Sequence, residues 1–330
     1  MDIKKITELI TNEKPNLKPS SISQYVRCLM TLEKSYHYPE DTRIPLSNDT
    51  IEYIKGIKYE NIMDLYKDEK VVNMLLSNYH FTTARNYYTA IITLLEGENN
   101  PENKPLINKY SNIVKNSNDE YKKENESGII SLKQSDNFVS VETIDTLIHK
   151  LKTYDKKGYI LFSILKHHHL RNEIATLEII KLQQYKKLKA PDKRDKNYMV
   201  VGTKKLFISR NGYKTDKKYG EIVFEITDKK LNKEVRNYIK GLDGNEEMFS
   251  FPDINGEGND KKKQLSNYMS YVSKKFIGSK ISTTILAKIM LSSKYLENKQ
   301  AQEKDAKERG HSVSVENDVY IKAPLIVASD

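Results

Sequence analysis

The 330-residue chain has no tryptophan and a single cysteine, Cys28. One thiol cannot build an internal disulfide framework or a cysteine-based metal site, so a reducing, intracellular setting is expected. No apolar run is long enough to span a bilayer, which excludes a membrane helix. The opening MDIKKITELITNEK lacks the unbroken apolar centre of a secretory signal, so no export is expected. Arginine is scarce too, standing only at positions 27, 43, 85, 171, 194, 210, 236 and 309. Only arginine offers a planar, bidentate fork to phosphate, so each of these positions merits attention.

What the chain has in plenty is lysine, asparagine, isoleucine and tyrosine, the usage of an A/T-rich genome. The formal net charge is +10 and the pI about 9.1, a balance that favours an acidic partner, nucleic acid first among them. The length suffices for two ordinary domains.

The first 115 residues read as helical. PSSISQYVRCLMTLEK carries a Ser cap and then Ile22, Tyr25, Val26, Leu29 and Leu32 at helical spacing. FTTARNYYTAIITLLE repeats the design, with Thr82 and Thr83 ahead of Tyr87, Tyr88, Ile91 and Leu95. Two similar helix pairs in one small bundle are expected. Their polar faces carry Ser23, Gln24 and Arg27 in one, and Arg85, Asn86 and Thr89 in the other. Each face is either plainly solvated or a nucleic-acid contact.

Residues 116–137, NSNDEYKKENESGIISLKQSDN, are polar and weakly periodic, as a linker should be. A second domain over 138–330 opens with a helix at SVETIDTLIHKLKTY, where Ser140 and Glu142 are cap candidates. A buried helix, GYILFSILKHHHL, follows. Ile174, Leu177 and Ile180 predict an amphipathic helix with Arg171 at its start. Three strand-like runs come next, NYMVVGT, KLFISRNGY and GEIVFEIT, expected as a small antiparallel sheet. Helices then resume. The expected fold is mainly α with that sheet.

Four segments of the second domain carry chemistry. In HHHLRNE, a buried Arg171 would need an acidic partner or an anionic ligand. In NGYKTDKKYG, Lys214 lies between two strands and can reach outward. KISTTILAKIM is a capped helix with a small, polar start. RGHSVSVENDVY sets His311 after a Gly and Tyr320 nine positions further on. The consecutive histidines of KHHH would splay around a helix and suit a structural role better than a metal.

The order of these segments resembles the tyrosine recombinases, the phage-integrase type of site-specific recombinase. That family has an LR box, a hairpin Lys, an HxxR box on a helix, a GH pair and a Tyr nucleophile. Here LRNE matches with Arg171, YKTDKKYG with Lys214, and GHSVSVENDVY with His311 and Tyr320, across residues 140–320. The HxxR box aligns on TTILAK, which puts Thr284 where the family has His and Ala287 where it has its second Arg. Lys288 is adjacent but lies about 100° away around a helix and is no replacement.

The resemblance implies a helical core-binding domain that closes a clamp on double-stranded DNA with an α+β catalytic domain. Arg27, Arg85, Asn86 and Lys288 are the candidate DNA contacts. The family chemistry needs no metal or cofactor. Tyr320 would attack a scissile phosphate to give a 3′-phosphotyrosyl link, with Arg171 and His311 as phosphate donors and Lys214 as general acid. Integration or transposition by a homotetramer on synapsed sites, for a virus or mobile element, is the implied role. The apolar tail IKAPLIVASD would dock on a neighbouring subunit or on its own domain. Ala287 implies impaired cleavage, whether by natural loss or by deliberate replacement. A type IB topoisomerase-like enzyme and a non-catalytic DNA-binding protein of the same fold remain the alternatives.

Overall fold

The computed structural model describes residues 2–41, 44, 46–126, 130–242, 244, 246–254, 256, 258–308 and 313. They form two compact units, Met1–Ile129 and Ile130–Asp330, a mainly α-helical protein with one small sheet. No helix among the described residues is long and apolar enough to cross a membrane.

The first unit is a bundle of seven helices among its described residues: α1 (Ile3–Glu13), α2 (Pro19–His37), α3 (Asn48–Lys55), α4 (Ile62–Lys67), α5 (Glu69–Leu76), α6 (Phe81–Gly97) and α7 (Lys104–Glu126). Short polar residues start several of them: Ser47 Oγ accepts from Thr50 N at 3.2 Å, and Asp68 Oδ1 from Val71 N at 3.0 Å. The expected Ser cap of α2 is absent. Pro19 occupies the first turn, where its missing N–H is no loss and its φ is preset, so Ser20 and Ser21 fall inside the helix. Likewise His80, not a threonine, caps α6. Leu29, Leu32, Leu65, Tyr66, Ile91, Leu94 and Tyr110 fill the core.

Residues 116–126, expected as linker, are helix instead. Ser117 on α7 is buried, and Arg85 of α6 donates from Nη1 to Asn118 Oδ1 at 2.9 Å with its guanidinium 5.4 Å from the Tyr121 ring. Side chains of α6 thus hold the polar end of α7 in helical form, which local composition does not reveal.

The second unit comprises α8 (Leu132–Ser135), α9 (Val141–Tyr154), α10 (Lys156–His168), β1 (Leu177–Lys181), α11 (Leu182–Tyr185), α12 (Ala190–Lys193), β2 (Asn197–Val201), β3 (Leu206–Arg210), α13 (Asp216–Tyr219), β4 (Ile222–Glu225), α14 (Lys229–Lys240), α15 (Lys261–Ile277) and α16 (Thr283–Glu308). Ser140 caps α9 as expected, its Oγ accepting from Thr143 N at 3.2 Å. In α10 every residue from Gly158 to Leu165 is buried, so this helix is the axis of the unit. Around it lie Leu147 and Leu151 of α9, Leu177, Met199 and Ile208 of the sheet, Val235 of α14, and Met269 and Leu286 of α15 and α16.

The sheet has order β1-β2-β3-β4, and the three expected strands are its antiparallel β2, β3 and β4. It is mixed rather than antiparallel, because β1 pairs in parallel with β2, Leu177 facing Asn197 and Lys181 facing Val201. The helix expected around Ile174, Leu177 and Ile180 is a 3-10 turn (Asn172–Thr176) followed by β1. Residues spaced by three fit a helix, but the β-branched Ile179 and Ile180 suit a pleated surface, and pairing with β2 satisfies their backbone. Successive β2 residues point to opposite faces: Met199 joins the main core, while Tyr198 and Val200 pack with Tyr185 beneath the other side.

Candidate functional site

The end of the sheet defined by the register Leu177–Asn197–Arg210–Ile222 is joined through Asn197 to the turn after Arg171 and to the loop that carries Lys214. The chain reaches it from α10. His169 closes that helix in the left-handed region, φ 31° and ψ 39°, a conformation that His tolerates better than most residues. The reversal turns Leu170 into the core and Arg171 outward. Arg171 is exposed, and among the described residues no carboxylate pairs with it. The expected burial of Arg171, which would have called for an acidic partner or an anionic ligand, is therefore wrong. The acid that follows, Glu173, is buried and pairs with Arg210 of β3 instead. The Arg210 guanidinium also lies 4.5 Å from the Tyr213 ring centroid and 5.7 Å from that of Phe224.

Two asparagines fasten the turn after Arg171. Asn172 Oδ1 accepts from Thr283 Oγ1 at 2.7 Å, and its Nδ2 donates to Ser266 Oγ at 2.8 Å, tying the turn to the start of α16 and to α15. Asn197 Nδ2 donates to Thr176 Oγ1 at 3.2 Å and to the Gly212 carbonyl at 3.1 Å, while its Oδ1 accepts from the N–H groups of Asn211 and Gly212, both at 3.1 Å. One buried side chain thus joins the Arg171 turn to the β3–β4 connection. Gly212 is required there, because a Cβ would sit 2.3 Å from the Asp195 carbonyl oxygen.

Lys214 lies in that connection, as expected, and is exposed. Its loop is held at the far side by Tyr213 Oη, which donates to the Gly220 carbonyl at 2.8 Å. Glu221 then accepts from Ser209 Oγ at 2.7 Å and from Tyr185 Oη, with Lys193 Nζ 3.6 Å away. Burial opposes ionisation of Glu221, but the Tyr185 and Ser209 hydrogen bonds and the Lys193 charge together hold its carboxyl below the usual range.

At the start of α16, Ser282 Oγ accepts from Ile285 N at 3.2 Å, the cap expected there. Thr284 is exposed and Ala287, on the same face, is half-buried. Lys288 points elsewhere and donates from Nζ to Gln134 Oε1 at 2.7 Å. His311 and Tyr320 lie outside the described residues. The histidine run is structural in its contacts: His167 Nδ1 is 2.8 Å from the Ser163 carbonyl oxygen, and the His168 ring lies tilted against Phe224 with centroids 5.7 Å apart. Arg210 stood out in the sequence only as one of eight scarce arginines, and nothing singled out Asn172, Glu173 or Asn197. Their only signal was polarity at the head of a strand-like or apolar segment.

In the first unit, α2 and α6 border a cleft of about 400 Å³ whose lining includes Gln24, Arg27, Cys28, Thr83 and Asn86. Arg27 is exposed and Asn86 half-buried, so these two candidates share one concave surface. Arg85 does not join them, being turned to Asn118 and Tyr121 of α7. Burial, partly offset by Arg27, pushes the Cys28 thiol up, which favours its protonated form. Comparison with protein families, with curated proteins and with solved structures finds no match to this chain.

Proposed function

We propose that the chain is a DNA strand transferase of the tyrosine-recombinase kind, with the second unit catalytic and the α2–α6 cleft of the first a DNA contact. Support comes above all from one linkage. The turn carrying Arg171 is hydrogen-bonded through Asn172 to the start of α16 and through Asn197 to the loop of Lys214. Exposed cations on braced segments suit a phosphate better than a salt-bridged surface does, since the backbone that carries them is positioned before the ligand arrives and their charge has no competing carboxylate among the described residues.

In this proposal Tyr320 gives up its phenolic proton to solvent as its Oη bonds to the scissile phosphorus, and the bond between that phosphorus and the bridging 5′-oxygen breaks. Lys214 gives its proton to the leaving 5′-oxygen. Arg171 and His311 bind a non-bridging oxygen as its charge grows. The bond energy stays in the 3′-phosphotyrosyl link, so rejoining needs no nucleotide cofactor. Double-stranded DNA is the partner, and a tetramer on paired sites is the working assembly.

Ala287 favours a second reading, a protein that binds DNA and does not cut it. The position faces the same way as Thr284 and offers a methyl group where a second guanidinium would complete the clamp. A suicide DNA substrate separates the two. Ala287→Arg should raise covalent-adduct yield by roughly a hundredfold, the scale for one charge-stabilising donor. Adding Tyr320→Phe should abolish that adduct and leave affinity nearly unchanged. No adduct from Ala287→Arg would leave the non-cutting reading, and an adduct that survives Tyr320→Phe would move the nucleophile, with Tyr295 next.

A further inference from the structure

The opposite end of the sheet carries a second concentration of charge that strand transfer at Arg171 does not use. The β2–β3 turn follows Val201, at the far end of β2 from Asn197. It borders, with α14, a cleft of about 590 Å³. Lys204, Lys229, Lys233, Arg236 and Lys240 line it against one carboxylate, Glu225, itself 3.9 Å from Lys205. Among the described residues none of the five cations has a carboxylate partner. Arg236 is held by neutral groups only: its Nε donates to Asn232 Oδ1 at 2.7 Å and its Nη1 to the Gly202 carbonyl at 2.8 Å. Its charge is fixed in direction and not neutralised.

The arrangement follows from the helix period. Leu231, Val235 and Tyr238 bury one stripe of α14 in the core. That leaves positions 229, 233, 236 and 240 as a second stripe facing out, one cation per turn over roughly 16 Å at 1.5 Å per residue. A compact anion would need the charges converged on one point, whereas this row is extended. A polynucleotide strand advances about 3.4 Å per phosphate along its axis, so the row runs past about five of them. A folded acidic protein would need a desolvated apolar anchor. The apolar lining residue, Ile226, is itself buried beneath the cleft. Asn237 and Thr227 add neutral donors of the kind that position backbone phosphates.

We propose that this cleft of α14 and the β2–β3 turn is a binding site for the phosphate backbone of a polynucleotide. It is separate from the Arg171 end of the sheet and independent of any cleavage there. The test is fluorescence anisotropy of the full chain with a labelled DNA duplex across a salt series. Lys229→Gln, Lys233→Gln and Lys240→Gln are combined, since all three are exposed and away from the core. A control combines Lys186→Gln, Lys187→Gln and Lys189→Gln, exposed lysines with the same charge change.

The α14 triple variant should flatten the slope of log affinity against log salt by about 2–3, near 0.9 for each phosphate no longer neutralised. The control should flatten it by less than the equivalent of one phosphate. Equal flattening in both variants, or an unchanged slope in the α14 variant while the parent binds, overturns this site alone. A parent that binds no duplex overturns it together with the DNA reading of the chain. Displacement of duplex from the parent by polyglutamate or tripolyphosphate as readily as by unlabelled duplex would assign the cleft to an acidic protein or a small polyanion instead.

Discussion

Glu173 and Arg210 offer the sharpest test of how the Arg171 turn is held. Their side chains are 8% and 12% exposed, and each has the other as its opposite charge. Removing one partner of such a pair strands the other, a loss of about 3–5 kcal/mol. Glu173→Ala should fall near the lower end, because the Tyr213 and Phe224 rings still face the guanidinium and contribute about 1 kcal/mol or more. The two variants should then diverge with pH. After Arg210→Ala, the stranded carboxyl can take up a proton, so the deficit should shrink as pH falls, by at most about 1.4 kcal/mol per unit. After Glu173→Ala no such relief exists, because a guanidinium cannot shed its proton. Glu173→Leu with Arg210→Met, which removes both charges and keeps volume, should stay near the parent. Urea unfolding followed by circular dichroism at pH 7 and 5 measures this, with hydrogen exchange over residues 171–181 as the local readout. A loss under about 1 kcal/mol for Glu173→Ala, or one pH dependence shared by both single variants, would refute the assigned role of the pair.

Two further outcomes follow from the second unit. Lys214→Ala, tested in the Ala287→Arg background, should slow cleavage of ordinary DNA severely. It should cut a substrate with sulfur at the bridging 5′ position almost normally, because sulfur leaves without a proton; equal slowing on both would reduce Lys214 to a phosphate ligand. His168 is disfavoured as a cation by burial, then by His167 and His169, and His169 by burial and by Lys294. The unfolded chain takes up these protons near pH 6.5 and the folded chain does so only lower, so stability should fall as pH drops from 7.5 to 5.5. His168→Phe should blunt that slope of Tm against pH; an unaltered slope would remove His168 from the account.

What could be seen in the sequence was whatever depended on local pattern. The runs of β2, β3 and β4, the buried stretch of α10, the caps at Ser140 and Ser282 and the placement of Lys214 between strands all rest on residues near one another in the chain. What could not be seen depended on partners far away. β1 looks helical until the parallel pairing with β2 is known, and the end of α7 looks like linker until Arg85 reaches it from α6. The candidate site divides in the same way. Arg171 and Lys214 were visible as charges beside punctuating residues, but the asparagines that brace them act across 111 and 15 residues of chain.

Arginine is spent in two different ways here, because the fork that suits phosphate also suits a carbonyl, an amide or a carboxylate. Arg85 is committed to Asn118 and Tyr121, and Arg210 to Glu173. Both act as internal braces where lysine, with no rigid fork, would serve poorly. Arg27 and Arg171 are exposed without a carboxylate partner among the described residues, which leaves their forks available. Alanine substitution should therefore sort the four. Arg27→Ala and Arg171→Ala should each lower the salt slope of DNA binding by about one and leave Tm within about a degree, as expected when a surface cation stops neutralising one phosphate. Arg85→Ala and Arg210→Ala should lower Tm by several degrees and change DNA affinity little at temperatures where the fold persists. Anisotropy against salt and thermal unfolding on the same four proteins decide it. An Arg85→Ala variant with parental Tm and a flattened salt slope would return Arg85 to the side of Asn86 as a DNA contact, and would show its bond to Asn118 to be one the ligand displaces.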